Sequence, residues 1–217
     1  MSARADVTVF EPLQVALSPD LTVSGIWLRG EGRLTVLFLH DQGVDLDAVL
    51  PLLAGLRMPE AHKLAFDLPG HGLSGGAVSD AGQSLSALCD SLAVDGHGPF
   101  VIVACGHSAR LAWGLAKRSD VIGLGLVSPV LDGPLPPESF SRAPVLVFLA
   151  AASPEVVAAW TALKVRLRAR WLSASLALTH DDLVGLRGCD GQIASHISGF
   201  VRDLMASSPA GPGLRKA

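Results

Sequence analysis

Four short, almost wholly apolar runs constrain this chain more than any other feature: Leu34–Leu39, Val101–Ala104, Val121–Val127 and Val145–Leu149. Runs this short that do not alternate with polar residues belong to strands covered on both faces. Between them lie stretches with helical spacing, Asp45–Leu56 with Val49, Leu50 and Leu53 on one face, and Ser79–Val94. Pro154–Arg168 and Gln192–Met205 read as further helices, and Leu64–Phe66 and Ser173–Leu178 as further strands. Val7–Leu17 and Leu21–Leu28 read as an antiparallel pair joined around Ser18-Pro19-Asp20. Strands interleaved with helices, most of the strands buried, predict an α/β fold with a largely parallel sheet and helices on both faces. One domain is expected over residues 1–206, with a flexible tail over 207–217 that contains Ser207-Ser208-Pro209-Ala210-Gly211-Pro212-Gly213.

Composition narrows the function classes. Of 217 residues, 49% are hydrophobic and 17% charged, which suits a globular chain with a large buried core. A net charge of −3 gives no electrostatic case for nucleic acid or an anionic membrane surface. Cys89, Cys105 and Cys189 are widely spaced, odd in number and in no C-x-x-C pair, so buried thiols in a reducing compartment are expected. The start, Met1-Ser2-Ala3-Arg4-Ala5-Asp6, lacks the apolar stretch of a secretory signal, and no apolar run approaches ~20 residues. A cytoplasmic location is the expectation. His and Cys spacings match no metal-ligand set, so neither metal nor organic cofactor is indicated. Oligomeric state is left open.

The segment Val101-Ile102-Val103-Ala104-Cys105-Gly106-His107-Ser108-Ala109-Arg110 joins a strand pattern to a helical one through a tight turn of small residues. A serine at such a corner has its hydroxyl lifted clear of the backbone, near N–H groups able to stabilise an anion. The turn reads G-x-S-x-R where the hydrolase signature is G-x-S-x-G. Two further segments join it. Leu37-Phe38-Leu39-His40-Asp41-Gln42-Gly43 resembles the His-Gly segment that follows the third strand in the α/β-hydrolase family. Asp67-Leu68-Pro69-Gly70-His71-Gly72-Leu73-Ser74 resembles that family's D-x-P-G-H-G-x-S loop closely. In order and spacing, these pieces make almost the whole chain similar to an α/β-hydrolase without a cap domain.

The resemblance implies a triad in the order serine, acid, histidine. Ser108 is the expected nucleophile, and His180, at the end of the last strand, the expected base. The competing reading of His180 is a surface histidine beside Asp181 and Asp182. The acid departs from the family pattern, because Ser153 stands where the carboxylate belongs after Pro144–Leu149. Asp132, after the sixth strand, is the candidate in its place. Glu155 is a second candidate, although it would open a helix, where a carboxylate favours the dipole. The resemblance assigns the oxyanion hole to the backbone N–H groups of Gln42 and Ala109. Asp41 replaces an expected glycine there, and a carboxylate beside a developing oxyanion opposes it unless it points away. Arg110 stands where the family prefers a small residue. His40, His71 and His107 lie in the recurring loops and are expected to pack or hydrogen-bond, His196 to be structural, and His62 and His97 to carry no signal.

Only Pro129–Arg142 separates the sixth strand from the next, and its four prolines, Pro129, Pro134, Pro136 and Pro137, argue for a stiff loop. An open site suits a small-molecule or carrier-borne acyl substrate. The expected function is therefore a serine hydrolase cleaving a carboxylic ester or thioester through an acyl-enzyme. The alternative is a catalytically degenerate α/β-hydrolase fold that acts as a binding or scaffolding partner.

Overall fold

The alternating N-terminal segment forms an edge hairpin. In a computed structural model, which describes residues 9–130, 143–150, 171–176 and 190–207, β1 (Glu11–Ser18) pairs antiparallel with β2 (Leu21–Leu28). Leu13, Val15 and Leu17 of β1 pack inward while the residues between them face solvent. Pro12, which cannot donate to a ladder, is tolerated on this outermost strand.

The apolar runs build the rest of the sheet. β3 (Thr35–Leu39), β4 (His62–Phe66), β5 (Phe100–Cys105), β6 (Val121–Val127), β7 (Val145–Ala150) and β8 (Trp171–Leu176) complete an eight-stranded sheet of order β1-β2-β4-β3-β5-β6-β7-β8. β2 meets β4 antiparallel, and every pairing from β4 to β8 is parallel. Residues of the central strands alternate between two cores, which is why these strands carry no polar phase. Leu37, Leu39, Ile102, Ala104, Leu124 and Leu126 face α2 (Ala81–Val94) and α3 (Ala109–Leu115). Val36, Phe38, Val101, Val103 and Phe148 face α1 (Leu50–Gly55) and α4 (Asp190–Ser207). Each fully buried Leu or Phe contributes roughly 1.5–3 kcal/mol of transfer free energy. On β6, a Cβ at Gly123 would meet Leu204 and Phe200, so glycine lets α4 lie close against the sheet.

Three boundaries differ from expectation, each for a local reason. The helix expected over Asp45–Leu56 is a 3₁₀ turn at Leu46–Val49, capped by Asp45, followed by α1. Pro51 sits in the first turn of α1, where its missing N–H costs nothing, whereas a continuous helix would set its ring against the preceding turn. β4 begins at His62 rather than Leu64, because the polar heads of its first two residues are satisfied. His62 Nδ1 accepts from the Gly30 N–H at 3.0 Å, and Lys63 Nζ donates to the Leu56 carbonyl at 3.2 Å. β8 starts at Trp171 rather than Ser173. The expected helix Pro154–Arg168 lies outside the described residues.

Candidate active site

β3, β4 and β5 run parallel, so the loops that leave their C-terminal ends meet at one end of the sheet. The loop after β5 turns at Gly106, whose φ of +54° lies in the left-handed region that glycine enters without strain. Gly106–Ser108 form one 3₁₀ turn that runs directly into α3. Gly106 is the only residue of this turn with positive φ. The apex therefore falls two residues earlier than the sequence predicts. Ser108 itself is helical (φ −65°, ψ −11°) and 3% exposed. Its Oγ donates to the His40 carbonyl at 2.5 Å, tying the turn to the loop after β3.

This frame removes one irregularity and corrects one assignment. In a G-x-S-x-G pattern centred on Gly106, Ala104 and Ser108 are the small flanking residues and glycine takes the place of the nucleophile. Arg110 then lies on the exposed side of α3, outside the turn that had to close. The Ala109 N–H points back to the Gly106 and His107 carbonyls, so it closes the 3₁₀ turn and is no oxyanion donor. The N–H that follows the apex belongs to His107.

That N–H already has an acceptor. Asp41 Oδ1 receives the Gln42 N–H at 2.7 Å and the His107 N–H at 2.7 Å, with His107 Nδ1 3.2 Å away. Hydrogen bonds to an ionised carboxylate are about twice as strong as neutral ones. The Asp41 side chain is 10% exposed and that of His107 44%. A Cβ built on Gly106 would fall inside the Asp41 carboxylate, overlapping Cγ and both oxygens. Asp41 thus points into the region between the expected oxyanion donors, not away from it. The sequence signals were the substitution of Asp41 for glycine and the single residue at 106 able to adopt the apex conformation.

The surrounding loops are braced by polar groups with no spare capacity for proton transfer. His40 is fully buried; its Nδ1–H donates to the Asp41 carbonyl at 2.7 Å and its Nε2 accepts from the Leu68 N–H at 2.9 Å. These partners assign the tautomer. Burial is the main cause of a His40 pKa below the ordinary imidazole value, outweighing the Asp41 carbonyl that favours charge. In the loop after β4, Asp67 accepts from the Leu46 N–H through Oδ1 (2.9 Å) and from the Leu73 N–H through Oδ2 (2.8 Å), while Ser74 Oγ donates to its carbonyl (2.6 Å). His71 Nε2 accepts from the Gly43 N–H at 3.3 Å, and its ring lies edge-on to His40 with centroids 5.2 Å apart. After β6, Ser128 has a left-handed φ of +44°, and the Val130 N–H then donates to the Gly106 carbonyl at 3.1 Å. The chain leaving β6 is thereby drawn across the apex.

Of the expected site residues, the structure brings Ser108, Gln42 and Ala109 to one end of the sheet but with the roles just described. His180, Asp132, Ser153 and Glu155 lie outside the described residues. His196 sits on the exposed side of α4, 6.0 Å from the Phe148 ring. His62 and His97 pack with Trp27 at the other end of the sheet, where β4 and β5 begin. Among the described residues, no group of three or more His, Cys, Asp and Glu side chains could hold a metal ion. No helix among them is long and apolar enough to cross a membrane.

No protein-family model and no curated protein matches this chain. Solved structures do. The Pyrococcus furiosus esterase Pf2001 is 16% identical, with 90% of each chain covered and a TM-score of 0.75. A CIB-like hydrolase from Thermoplasma acidophilum is 13% identical over 90% of this chain and 99% of that one, with a TM-score of 0.73. The haloalkane dehalogenase DbeA from Bradyrhizobium elkani is 16% identical over 92% of this chain and 100% of that one, with a TM-score of 0.74. At these identities the likeness is one of fold.

Proposed function

This chain has the α/β-hydrolase fold, and we propose that it uses that frame for binding rather than for acyl transfer through Ser108. The observation that carries this reading is Gly106 at the apex of the turn after β5, with no side chain to present. A serine nucleophile must stand clear of the backbone within reach of a base. Ser108 is instead buried, helical and committed as a donor to the His40 carbonyl. The second support is electrostatic. Oxyanion stabilisation requires N–H donors aimed at the place where negative charge develops. Both donors here end on the Asp41 carboxylate, whose own charge opposes a second anion beside it.

The triad of Ser108, His180 and Asp132, acting on a carboxylic ester or thioester, is the reading this proposal displaces. A fluorophosphonate probe separates the two. The purified protein should remain unlabelled, and aryl esters and acyl thioesters should be hydrolysed no faster with it than without it. Labelling of the wild type that disappears in Ser108→Ala would restore the serine-hydrolase reading and remove this one.

A further inference from the structure

A carboxylate oxygen gripped by N–H groups from two separate loops is the filled state of an anion receptor, and here the anion belongs to the chain itself. The Gln42 N–H comes from the loop after β3 and the His107 N–H from the turn after β5; both end on Asp41 Oδ1 at 2.7 Å. His107 Nδ1, 3.2 Å from the same oxygen, adds an imidazole from the side. The cradle is also shaped for its guest, because the space a side chain at position 106 would take is filled by the planar carboxylate.

These donors do not depend on the Asp41 side chain for their position. His40 links the Asp41 carbonyl to the Leu68 N–H, Ser108 Oγ reaches the His40 carbonyl, and the Val130 N–H holds the Gly106 carbonyl. Each of these contacts uses backbone at positions 41 and 106 or lies beyond them. Removing the Asp41 side chain therefore empties the cradle without dismantling it.

We propose that the Gln42 and His107 N–H groups and the His107 imidazole form a receptor for a small monocarboxylate, which Asp41 occupies as a tethered competitor. Beyond its Cα, aspartate is an acetate ion in outline, so acetate is the matching free ligand once the whole side chain is gone. A tethered group acts at an effective concentration of millimolar or far higher, so free carboxylates meet the native chain at a disadvantage of at least about 100-fold. This inference goes beyond the absence of a serine nucleophile and has its own readout.

The test is a titration of ¹⁵N-labelled full-length protein with sodium acetate, with sodium chloride as the ionic-strength control. In Asp41→Gly the Gln42 and His107 amide resonances should shift together and saturate, at concentrations at least about 100-fold below any response of the wild type. Asp41→Ala, which keeps the Cβ, should prefer formate to acetate. Independent movement of the two amides, equal responses in wild type and variant, or chloride acting as well as acetate would overturn the receptor. Should both variants fail to fold, Asp41→Asn decides: replacing the charged acceptor by a neutral one should move both amide protons upfield together, and a shift confined to one of them would sink the proposal. Fluorophosphonate treatment of Asp41→Gly keeps the two readings apart. A label on Ser108 would defeat the binding-only function and leave the receptor intact, whereas an unlabelled chain that ignores acetate would do the reverse.

Discussion

Asp41 and Asp67 are two nearly buried carboxylates at the same end of the sheet, and each lies where the Cβ of a left-handed glycine would be, Gly106 and Gly72 respectively. They differ in how their donors arrive. Asp67 spreads its bonds, taking the Leu46 N–H on one oxygen and the Leu73 N–H on the other. Asp41 gathers the Gln42 and His107 N–H groups on a single oxygen. Divergent donors make a brace, since the carboxylate then joins segments that would otherwise separate. Convergent donors make a receptor, since they would accept any single oxygen of like charge. The same residue type in the same kind of loop thus performs a structural task in one place and fills a chemical site in the other.

The comparison breaks most visibly at the level of stability. Asp67→Ala should cost about 3 kcal/mol in chemical denaturation, because the Leu46 N–H is buried and has no substitute acceptor. Asp41→Ala should cost less, about 1–2 kcal/mol, and formate should recover part of the loss. Equal costs, with no recovery, would erase the distinction between brace and receptor. Next in size, Gly106→Ala should lose about 2 kcal/mol through strain and overlap with Asp41. In an Asp41→Gly background the same change should be milder by about 1 kcal/mol, a coupling that a double-mutant cycle would read directly.

Smaller effects sharpen the picture around the apex. Ser108→Ala removes one buried hydrogen bond and should lower stability by about 1 kcal/mol while leaving probe labelling absent. A change in catalytic rate instead would contradict the placement of its hydroxyl. The broadest effect is on pH dependence. The folded pKa of His40 lies below its unfolded value, so its contribution to stability is present in full above pH ~6.5. As pH falls further, the unfolded chain takes up a proton that the folded chain refuses, and stability declines until the folded pKa is passed. His62, whose pKa is also depressed chiefly by burial, acts in the same direction. Thermal melts at pH 7.5 and 5.5 should show this decline, and His40→Gln should make it shallower; an unchanged slope would mean that His40 is not held neutral.

The fold was legible because its signals are redundant. The runs around Phe38, Val103 and Leu126 each carry the mark of a two-sided core, and errors of one or two residues at their ends leave the topology untouched. The brace was legible in the same way, since Asp67, Gly72 and Ser74 specify one loop together. The site was not, because three letters decided it. Gly106-His107-Ser108 satisfies a nucleophile motif in the wrong frame, and only the length of β5 and the φ of Gly106 reveal that the apex comes earlier. Asp41 stood out in the sequence as an obstacle to oxyanion chemistry, but the direction of a side chain is a rotamer, which no residue pattern records. The acid and base candidates, Asp132 and His180, fall outside the described residues and are tested only by the probe experiment.

The overlap between position 106 and Asp41 also governs the order in which changes to this site can be made. A serine placed at 106 while Asp41 remains must displace a carboxylate held by two backbone donors, so the first step would damage the fold before any chemistry was gained. Taking Asp41 away first leaves two N–H groups at the rim that water can solvate, and the second substitution then enters free space. Of the two paths from this site to one with a residue at the apex, only one runs through a folded intermediate. The pair works as a latch that opens from one side.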